Sequence, residues 1–511
     1  MRLTPLAKVL VGVAAVAVVG TASWMIWGGH GSAPTCKGLL GRPLRVGVVT
    51  WPGYAGGIMA NNGFKPNKNC DYFQKYNLCV EFLLMEDLDV RKAAFAKGGP
   101  DGVDIVWSTV DTTSSEFPGF IQSGVQARSI MQVDWSRGGD AIVADASIKN
   151  IEGLAGKKIS VTTGSPSQWL LEYNLNNSHL DESQKDWINK NLVGKNASPD
   201  ALADFVANRV DAAVVWEPDV SAALKNRPGA HILVSSAQAR KLIADVMIAR
   251  ADFIKDHPDV IQAFIEGWIG IGTVNANAHP DTVVQLLMDN EPVYKTIGEA
   301  DTKATLSTVH WATLSDNAEM FNLDGQDPSG VPPLYDRIFD ESARTWVKLG
   351  AIASPIAAFA SKDDSILHKI YSSSPSPRVA DVVQKCEDCN NPNKQAIVTK
   401  RITVNFPTGS SVLTPAALKV IDEQVSLLPT TFSGAYINVE GNTDDTGSRE
   451  LNIALSKSRA ESVINYLVTR YKLPREQFTP IGNGPDKPVA SNATADGKAK
   501  NRRTDIALIA R

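Results

Sequence analysis

The residues with the clearest chemistry lie in a turn and helix that begin at EGNTDDTGSRELNIALSKSRAESVINYL (440–467). One row of residues at i, i+4 spacing follows this predicted helix: Leu451, Leu455, Arg459, Val463 and Leu467. Residues at this spacing share one helix face, so a permanent cation sits within an apolar stripe. A guanidinium cannot shed its charge, and its burial therefore requires a partner.

Asp444 lies in the turn just before this helix and is the nearest candidate partner. A carboxylate and a guanidinium form strong, charge-assisted hydrogen bonds. One interpretation is an internal salt bridge, or an Arg459 side chain that extends along its aliphatic stem into solvent. The other is a ligand with both charges between them, its ammonium group on Asp444 and its carboxylate on Arg459.

The surrounding pattern predicts a small α+β domain over residues 399–511. Strands are predicted at 401–406, 435–443, 477–482 and 504–510, and helices at 415–428 and 448–471. These elements form a sandwich with the helices on one face of the sheet.

Three motifs in this region are similar to the OmpA-like peptidoglycan-binding domain over about residues 400–511. They are FPTGSSVLTPAAL (406–418), the T-D-x-x-G turn with its L-N-x-x-L-S-x-x-R-A helix, and NRRTDIAL (501–508). The resemblance implies that Asp444 and Arg459 bind diaminopimelate of the peptidoglycan stem peptide, with Asn452 and Arg502 at secondary positions. Asn442 departs from the family, which commonly has His or Tyr at this edge of the site.

The larger region, residues 44–370, alternates strand and helix patterns. Strands are predicted at 44–51, 103–109, 139–147, 157–165 and 210–218, with helices at 168–175 and 199–207 between some of them. Such alternation predicts a parallel or mixed sheet covered by helices. Ligands in these sheets bind at the carboxyl ends of the strands.

Three predicted strands end in a tryptophan: Trp51, Trp107 and Trp216. Polar or acidic side chains follow closely, namely Tyr54, Ser108, Thr109, Asp111 and Glu217. Either the indoles cap the core, or they form the walls of a solute site in which their faces attract a cation. An amine would then pair with Asp111 or Glu217.

The turn TTGSPSQW (162–169) is a second candidate for solute binding. It joins a strand to a helix, where free backbone N–H groups can receive an anion. Thr163 and Ser165 would belong to this anion site. A serine is also a common helix N-cap with no ligand at all.

Longer segments resemble the periplasmic substrate-binding proteins of nitrate/sulfonate/taurine-type ABC importers over about residues 44–350. They are LAGKKISVTTGSPSQWLLEYNL (154–175), RVDAAVVWEPDVSAAL (209–224) and IARADFIKDHPDVIQAFIEGWI (248–269). The resemblance implies a bilobed α/β fold, with a second lobe at about 138–235, that closes on a small molecule. Ligand identity does not carry over, and the residues themselves favour an amine-bearing or zwitterionic solute.

The amino terminus predicts export. Arg2 and Lys8 precede an uncharged run, Val9–Trp27, and about 20 apolar residues can span a bilayer as a helix. The positive flank favours a cytoplasmic N-terminus, with Trp24 and Trp27 at the far interface. We expect an uncleaved inner-membrane anchor at 1–28; the alternative is a signal peptide cleaved near 20–22. Linkers are predicted at 29–43 and 371–398.

Five cysteines fit an exported chain. Cys70 and Cys79 flank a short segment and are predicted to pair. Cys386 and Cys389 form a CxxC motif that predicts a small disulfide loop, although a redox pair and half of a metal site are open alternatives. Cys36 would remain free.

The sequence disfavours catalysis and nucleic-acid binding. The net charge of −4 gives no reason to expect nucleic acid, whose binders carry basic faces. There is no HExxH, GxSxG or P-loop, so we expect neither an enzyme nor a cofactor. The predicted protein is a periplasmic solute-binding protein held to peptidoglycan, with an ABC importer or a signalling membrane protein as its partner. The alternative is an envelope scaffold whose bilobed domain binds a partner protein.

Overall fold

The computed structural model describes residues 36–328, 330–378, 396–402, 404, 406–407, 409–425, 427–433 and 436–509. The predicted membrane anchor, the first part of the 29–43 linker, most of the 371–398 linker and the Cys386/Cys389 pair lie outside these ranges. Within the described ranges, every helix is too short or too polar to cross a membrane.

The first lobe is built on a six-stranded mixed sheet. In spatial order its strands are β11 (Val309–Trp311), β4 (Ala127–Ser136), β10 (Ala244–Arg250), β3 (Ile105–Thr109), β1 (Leu44–Val48) and β2 (Val80–Leu84). β1 runs parallel to β2 and β3, whereas β10 runs antiparallel to β3 and β4. The carboxyl ends of β1 and β3 therefore meet at the same edge.

Helices flank this sheet along the whole lobe. They are α1 (Ala55–Asn61), α2 (Asp71–Tyr76), α3 (Leu88–Lys97), α4 (Val110–Gln122), α9 (Ala251–Asp256), α10 (Pro258–Ile265), α11 (Val274–Ala278), α12 (Pro280–Asn290), α13 (Pro292–Ile297), α14 (Glu299–Leu306), α15 (Leu314–Phe321), α16 (Leu334–Lys348) and α17 (Ser365–Ser373). A π-helical segment, Glu266–Thr273, joins α10 to α11. It packs on α1, where Gly57 leaves room for the ring of Trp268.

The second lobe has a five-stranded sheet. Its spatial order is β7 (Val193–Lys195), β6 (Ile159–Thr162), β8 (Ala212–Trp216), β5 (Asp140–Ala144) and β9 (His231–Ser235). Its helices are α5 (Pro166–Asn176), α6 (Glu182–Lys190), α7 (Ser198–Val206) and α8 (Asp219–Asn226). β6 runs parallel to β7 and β8, and β5 runs antiparallel to β8 and β9.

Two crossing segments, 137–139 and 236–243, connect the lobes. Ser236 joins them, because its hydroxyl lies 2.7 Å from the Ser136 hydroxyl. The same oxygen accepts hydrogen bonds from the backbone N–H of Gly138 at 2.9 Å and of Asp140 at 3.2 Å. One buried hydroxyl thus holds both segments at the hinge.

The C-terminal domain has a four-stranded sheet in the order β12 (Ala396–Ile402), β15 (Thr504–Ile509), β13 (Tyr436–Asn442) and β14 (Phe478–Gly484). Its helices are α18 (Pro415–Gln424), α19 (Leu427–Thr431), α20 (Arg449–Tyr471) and α21 (Ala495–Asn501). The long helix α20 packs on β13 and β14. Gly441 permits this approach, since a Cβ there would lie 2.0 Å from the Ser456 carbonyl oxygen.

α19 and the two residues that follow it contact both lobes of the larger domain. The rings of Phe432 and Tyr173 lie 6.1 Å apart, and Thr430 accepts a 3.4 Å hydrogen bond from Arg337. At the hinge, the Lys241 backbone N–H donates to the Thr431 carbonyl at 3.0 Å. A second contact joins α16 to α20, because the Arg337 guanidinium carbon lies 5.9 Å from the centroid of the Tyr471 ring.

The disulfide connects Cys36 to Cys79 and not Cys70 to Cys79. The predicted pairing was wrong because sequence proximity was its only support. Cys70 sits at the start of α2, buried, and its thiol lies 3.2 Å from the Asn67 carbonyl. Cys36 is instead carried to Cys79 by a turn whose Leu39 N–H donates to the Asn77 carbonyl.

Candidate functional site

The three tryptophans predicted from the strand ends converge between the lobes. Trp51 follows β1, Trp107 lies in the neighbouring parallel strand β3, and Trp216 ends β8 of the opposite lobe. The pocket between them has an empty volume of about 280 Å³, which includes solvent at its mouth. Its lining consists of Val49, Trp51, Trp107, Asp140, Pro166, Trp216, Ile243 and Asp245.

A row of carboxylates forms the floor beside these rings. In the sheet of the first lobe, Asp245 of β10 stands directly opposite Asp134 of β4. Tyr54 donates to Asp245 at 2.5 Å, and the Trp51 indole donates to Asp134 at 3.1 Å. The close backbone of Gly53 makes room for this bond, because a Cβ there would lie 1.7 Å from Asp134 Oδ2.

Asp140 extends the acidic floor into the second lobe. It begins β5 and pairs in register with Trp216 of β8, and its Oδ1 has no hydrogen-bond partner among the described residues. Burial is the main reason why the pKa of Asp140 is raised to about 7 and that of Asp134 to about 8. Burial, followed by repulsion from Asp134, raises the pKa of Asp245 strongly.

Behind Trp107 lies a buried cation that is already neutralised. The Arg91 guanidinium carbon is 4.4 Å from the centroid of the Trp107 ring, and one nitrogen donates to the Trp107 carbonyl at 2.8 Å. Arg91 also forms a buried ion pair with Glu116. The guanidinium therefore supports the indole without compensating the acidic floor.

Several residues predicted for the solute site are engaged elsewhere. The Ser108 hydroxyl lies 3.4 Å from Glu116, and the exposed Thr163 donates to the Lys195 carbonyl at 3.3 Å. Ser165 donates to the Thr162 carbonyl at 2.6 Å, within its own turn. Glu217 accepts from the Ser221 hydroxyl at 2.8 Å.

Asp111 is fully buried in the first turn of α4. One of its oxygens accepts from the Thr112 hydroxyl at 3.2 Å, and Oδ1 has no partner among the described residues. Burial is the main reason why its pKa is raised to about 7. Asp111 does not line the pocket but adds negative charge behind Asp245.

Asp134, Asp140 and Asp245 were missed by the sequence analysis. Their signal was present, because each is a lone acid in or beside an apolar strand, in MQVDW, GDAIVA and IADVMIA. An isolated carboxylate on a buried strand is costly and requires an explanation. A search limited to strand ends overlooked all three.

In the C-terminal domain, the predicted charged pair lies in one site without forming an ion pair. Asp444 is bound by Arg502, whose Nη1 is 2.6 Å from its Oδ2, while its Oδ1 accepts from the Thr446 N–H at 2.9 Å. Desolvation acts to raise the pKa of Asp444, but the bonds from Arg502 and Thr446 outweigh it and hold the pKa below its usual value.

Arg459 has only uncharged partners among the described residues. Its Nε donates to the Ser410 carbonyl at 3.1 Å, and its guanidinium lies 5.0 Å from the centroid of the Phe406 ring. Desolvation and then repulsion from Arg502 lower its pKa. The direct salt bridge with Asp444, one of the two interpretations of the sequence, is absent from the described ion pairs.

The remaining predicted wall-site residues frame this pair. Asn452 donates to the Thr446 carbonyl at 3.0 Å and thereby fixes the turn that carries Asp444. Asn442 is buried and hydrogen-bonded to Asp505. The apolar row was only partly right, since Leu451 is 72% exposed and burial of the row begins at Arg459.

Comparisons with known proteins divide the chain into the same two parts. Residues 405–502 match the family model described as OmpA family, and residues 132–283 match the model described as NMT1/THI5 like. The larger domain consists of two α/β lobes joined by two crossing segments. A similar structure is the periplasmic aliphatic sulphonate binding protein SsuA from Escherichia coli, with 16% identity, 63% of this chain and 97% of that chain covered, and a TM-score of 0.46.

Curated relatives match the C-terminal domain. The probable lipoprotein YiaD of Escherichia coli K12 is 39% identical over 105 residues, which cover 20% of this chain and 47% of YiaD. A peptidoglycan-associated lipoprotein of Pseudomonas putida is 33% identical over 114 residues, covering 22% of this chain and 67% of that protein. The chain spans about half or less of the length of the first relatives that it matches.

Proposed function

Because the chain belongs to the OmpA family through its C-terminal domain, we propose that this domain binds peptidoglycan while the bilobed domain captures a small amine-bearing or zwitterionic solute. One observation carries the wall-binding half of this proposal. Asp444 and Arg459 lie in one site but do not pair with each other, since Asp444 is bound by Arg502 and Arg459 donates to the Ser410 carbonyl. A ligand with both charges can therefore bind without first breaking a salt bridge between them.

Diaminopimelate of the stem peptide is the proposed wall ligand. Its free ammonium would join the Asp444 carboxylate, which can accept about four hydrogen bonds and receives two in the described structure. Its carboxylate would meet the Arg459 guanidinium, which favours planar, bidentate partners. Arg502 and Asn452 would hold Asp444 and its turn in position.

The solute proposal rests on the aromatic and acidic cleft. Three indoles surround the pocket, and Asp140 and Asp245 line it. Aromatic faces and carboxylates both attract an ammonium group.

We further propose that residues 1–28 anchor the chain in the inner membrane, so that both domains occupy the periplasm, and that an ABC importer or a signalling membrane protein receives the solute.

Sedimentation with diaminopimelate-type sacculi tests wall binding. Asp444→Ala and Arg459→Ala each remove one charge that the ligand meets, and such losses cost about 2 kcal/mol or more, roughly a 30-fold loss of affinity. Arg475→Ala is the matched control, because this arginine pairs with Glu461 elsewhere in the same domain. If the double variant sediments as well as the wild type, the site assignment is wrong.

A solute panel tests the function of the bilobed domain. We expect amines or amino acids to raise the thermal unfolding temperature of the full chain, because a ligand that binds only the folded state stabilises it. A panel of amines, amino acids and sulfonates that produces no shift, together with a co-purified partner protein, would instead support the scaffold.

A further inference from the structure

A second group of acids lies next to the residues that line the pocket, since Glu86 binds the backbone of Thr50, the neighbour of Trp51. Here the "inner set" is Asp134, Asp140 and Asp245, and the "outer set" is Glu86, Asp219 and Glu291. Glu86 follows β2 and accepts from the Thr50 N–H at 2.9 Å, while Glu291 lies between α12 and α13. Asp219 begins α8 of the opposite lobe. Each set therefore draws carboxylates from both lobes.

Glu217 links the two sets electrostatically. Its charge raises the pKa of Asp140 in the inner set and of Asp219 in the outer set, in each case after the larger effect of burial. Glu86 in turn raises the pKa of Glu291, again after burial. The acids of the two sets are therefore close enough to interact electrostatically through Glu217.

No cation of the described chain compensates these groups. None of the six carboxylates of the two sets, nor Glu217, lies within 4.0 Å of a lysine, arginine or histidine nitrogen in the ion pairs of the described residues. Arg91, the cation behind Trp107, already pairs with Glu116. Asp134 Oδ1, Asp140 Oδ1 and Glu291 Oε2 are buried without any hydrogen-bond partner there.

Buried, unpaired carboxylates are unfavourable, and like charges make them more so. Lobe closure adds to this cost because it brings acids of one lobe against acids of the other. This free-energy cost is offset when a cationic group binds to the carboxylates of each set. A buried carboxylate oxygen that lines the pocket without a partner can accept a hydrogen bond from a ligand donor.

The residues that line the pocket include no cation for the anionic end of a zwitterion, and the Trp107 indole N–H is a neutral donor without a described partner. In the turn at 162–167, the Gly164 N–H already donates to Gln168 at 2.8 Å. The residue of this turn that lines the pocket is Pro166, which has no N–H. The wall site differs, since it presents Arg459 to a carboxylate.

We propose that the solute is a linear organic cation with at least two ammonium groups, one bound by the inner set between the indoles and the other by the outer set. This deepens the proposed solute binding and rests on it. Trp51, Trp107 and Trp216 surround the first ammonium group, and the methylene chain passes Val49 and Ile243. The free Tyr294 hydroxyl, buried near Glu291, offers an acceptor to the second.

Isothermal titration of the full chain tests the proposal with three probes of matched length. They are 1,4-diaminobutane, the monoamine butylamine and the zwitterion 4-aminobutanoate; the longer triamine spermidine, taurine and Ca²⁺ complete the panel. We expect the diamine or spermidine to bind at least 100-fold more tightly than butylamine, 4-aminobutanoate, taurine or Ca²⁺.

Neutral isosteres then separate the two sets. Asp140→Asn should weaken both the diamine and butylamine by at least tenfold. Glu291→Gln should weaken the diamine by at least tenfold and leave butylamine unchanged. Asp252→Asn is the control, because this exposed acid of the first lobe pairs with Arg250 and should have no effect. Both isosteres remove repulsion, so we expect the variants to fold.

The outcomes distinguish this proposal from the proposed function. If 4-aminobutanoate, butylamine or taurine binds as tightly as the diamine, or if Glu291→Gln leaves diamine binding intact, solute capture stands and the polycation proposal is wrong. Ca²⁺ binding that depends on Asp140 would overturn it in favour of a metal site. If no member of the panel binds, solute capture itself fails.

Discussion

The two candidate sites treat buried charge in opposite ways. In the C-terminal domain, Asp444 is held by Arg502, and Arg459 is surrounded by carbonyl groups and a ring. In the interlobe cleft, Asp134, Asp140 and Asp245 stand together without a cation in ion-pair contact among the described residues. The first site contains both signs of charge, and the second contains one.

This difference teaches how a site can reveal its ligand. Unpaired buried charge is costly, so a site that keeps it must have the charge compensated from outside. A site with both signs fits a zwitterion, whereas a site with carboxylates alone fits a cation. The unpaired atoms are therefore more informative about the ligand than the aromatic walls, which would suit either.

The largest expected effect is the pH dependence of the cleft. The pKa of Asp134 is raised from 3.8 to about 8, so its contribution to stability is complete below pH 3.8 and is lost as the pH rises through about 8. Trp51, Asp245 and Asp140 face this carboxyl group. We expect the unfolding temperature of the bilobed domain to fall from pH 5.5 to 8, and to fall less in Asp134→Asn.

Differential scanning calorimetry at both pH values measures this effect. Asp252→Asn serves as the control, because Arg250 lowers the pKa of Asp252 and its titration lies below this range. An equal pH slope in the wild type and Asp134→Asn would show that this carboxyl group is not the source, and the contrast between the two sites would lose its basis.

A disulfide variant should separate the two regions in unfolding. Cys36→Ser removes a crosslink between residues 43 apart in sequence, and such losses cost about 2–4 kcal/mol. The thermal unfolding temperature of the bilobed domain should fall by several degrees, while that of the OmpA-family domain should stay unchanged. Cys70→Ala, which breaks no disulfide, should shift it less; equal shifts for the two variants would contradict the assigned pairing.

Removal of Arg502 should weaken wall binding by about tenfold, less than removal of Arg459. Asp444 loses a charge-assisted bond but keeps the Thr446 N–H, and about 1.4 kcal/mol corresponds to a factor of ten. Sacculus titrations with Arg502→Ala and Arg502→Lys measure this. A loss as large as that of Arg459→Ala would make Arg502 a direct ligand contact.

The smallest expected effect concerns the hinge. Ser236→Ala leaves the Gly138 and Asp140 N–H groups without their acceptor, at a cost of about 1 kcal/mol in the bilobed domain. Urea unfolding measures the change. Ser221→Ala, which removes a hydroxyl from Glu217 outside the hinge, is the comparison, and only Ser236→Ala should alter the rate at which the lobes close on solute.

The sequence predicted most elements of both domains because their periodicity is strong. The helix predicted at 448–471 is observed as Arg449–Tyr471, and the strand predicted at 210–218 as Ala212–Trp216. The helix predicted at 415–428 instead ends at Gln424, and a second helix begins at Leu427. Its apolar pattern continues across the break, so periodicity alone could not locate it.

The sites were predicted unevenly for a physical reason. Asp444 and Arg459 are close in sequence and separated by one turn and part of a helix, so local spacing indicated that they share a site. Asp134 and Asp245 meet only through the pairing of β4 with β10, which no local pattern specifies. The Cys36–Cys79 disulfide was missed likewise, because it depends on the tertiary path of the chain.

The Cys36–Cys79 bond also determines how mechanical load would enter the molecule. Suppose that the chain is held at the membrane before Cys36 and at the wall after β12. Tension between these two layers of the envelope is then transmitted to the first lobe through the disulfide bond. The force is then delivered to the start of β2, at residue 79, and the segment from Cys36 to Cys79, which includes β1, is shielded from it. The covalent loop therefore keeps tension off the backbone that carries Trp51 and Tyr54.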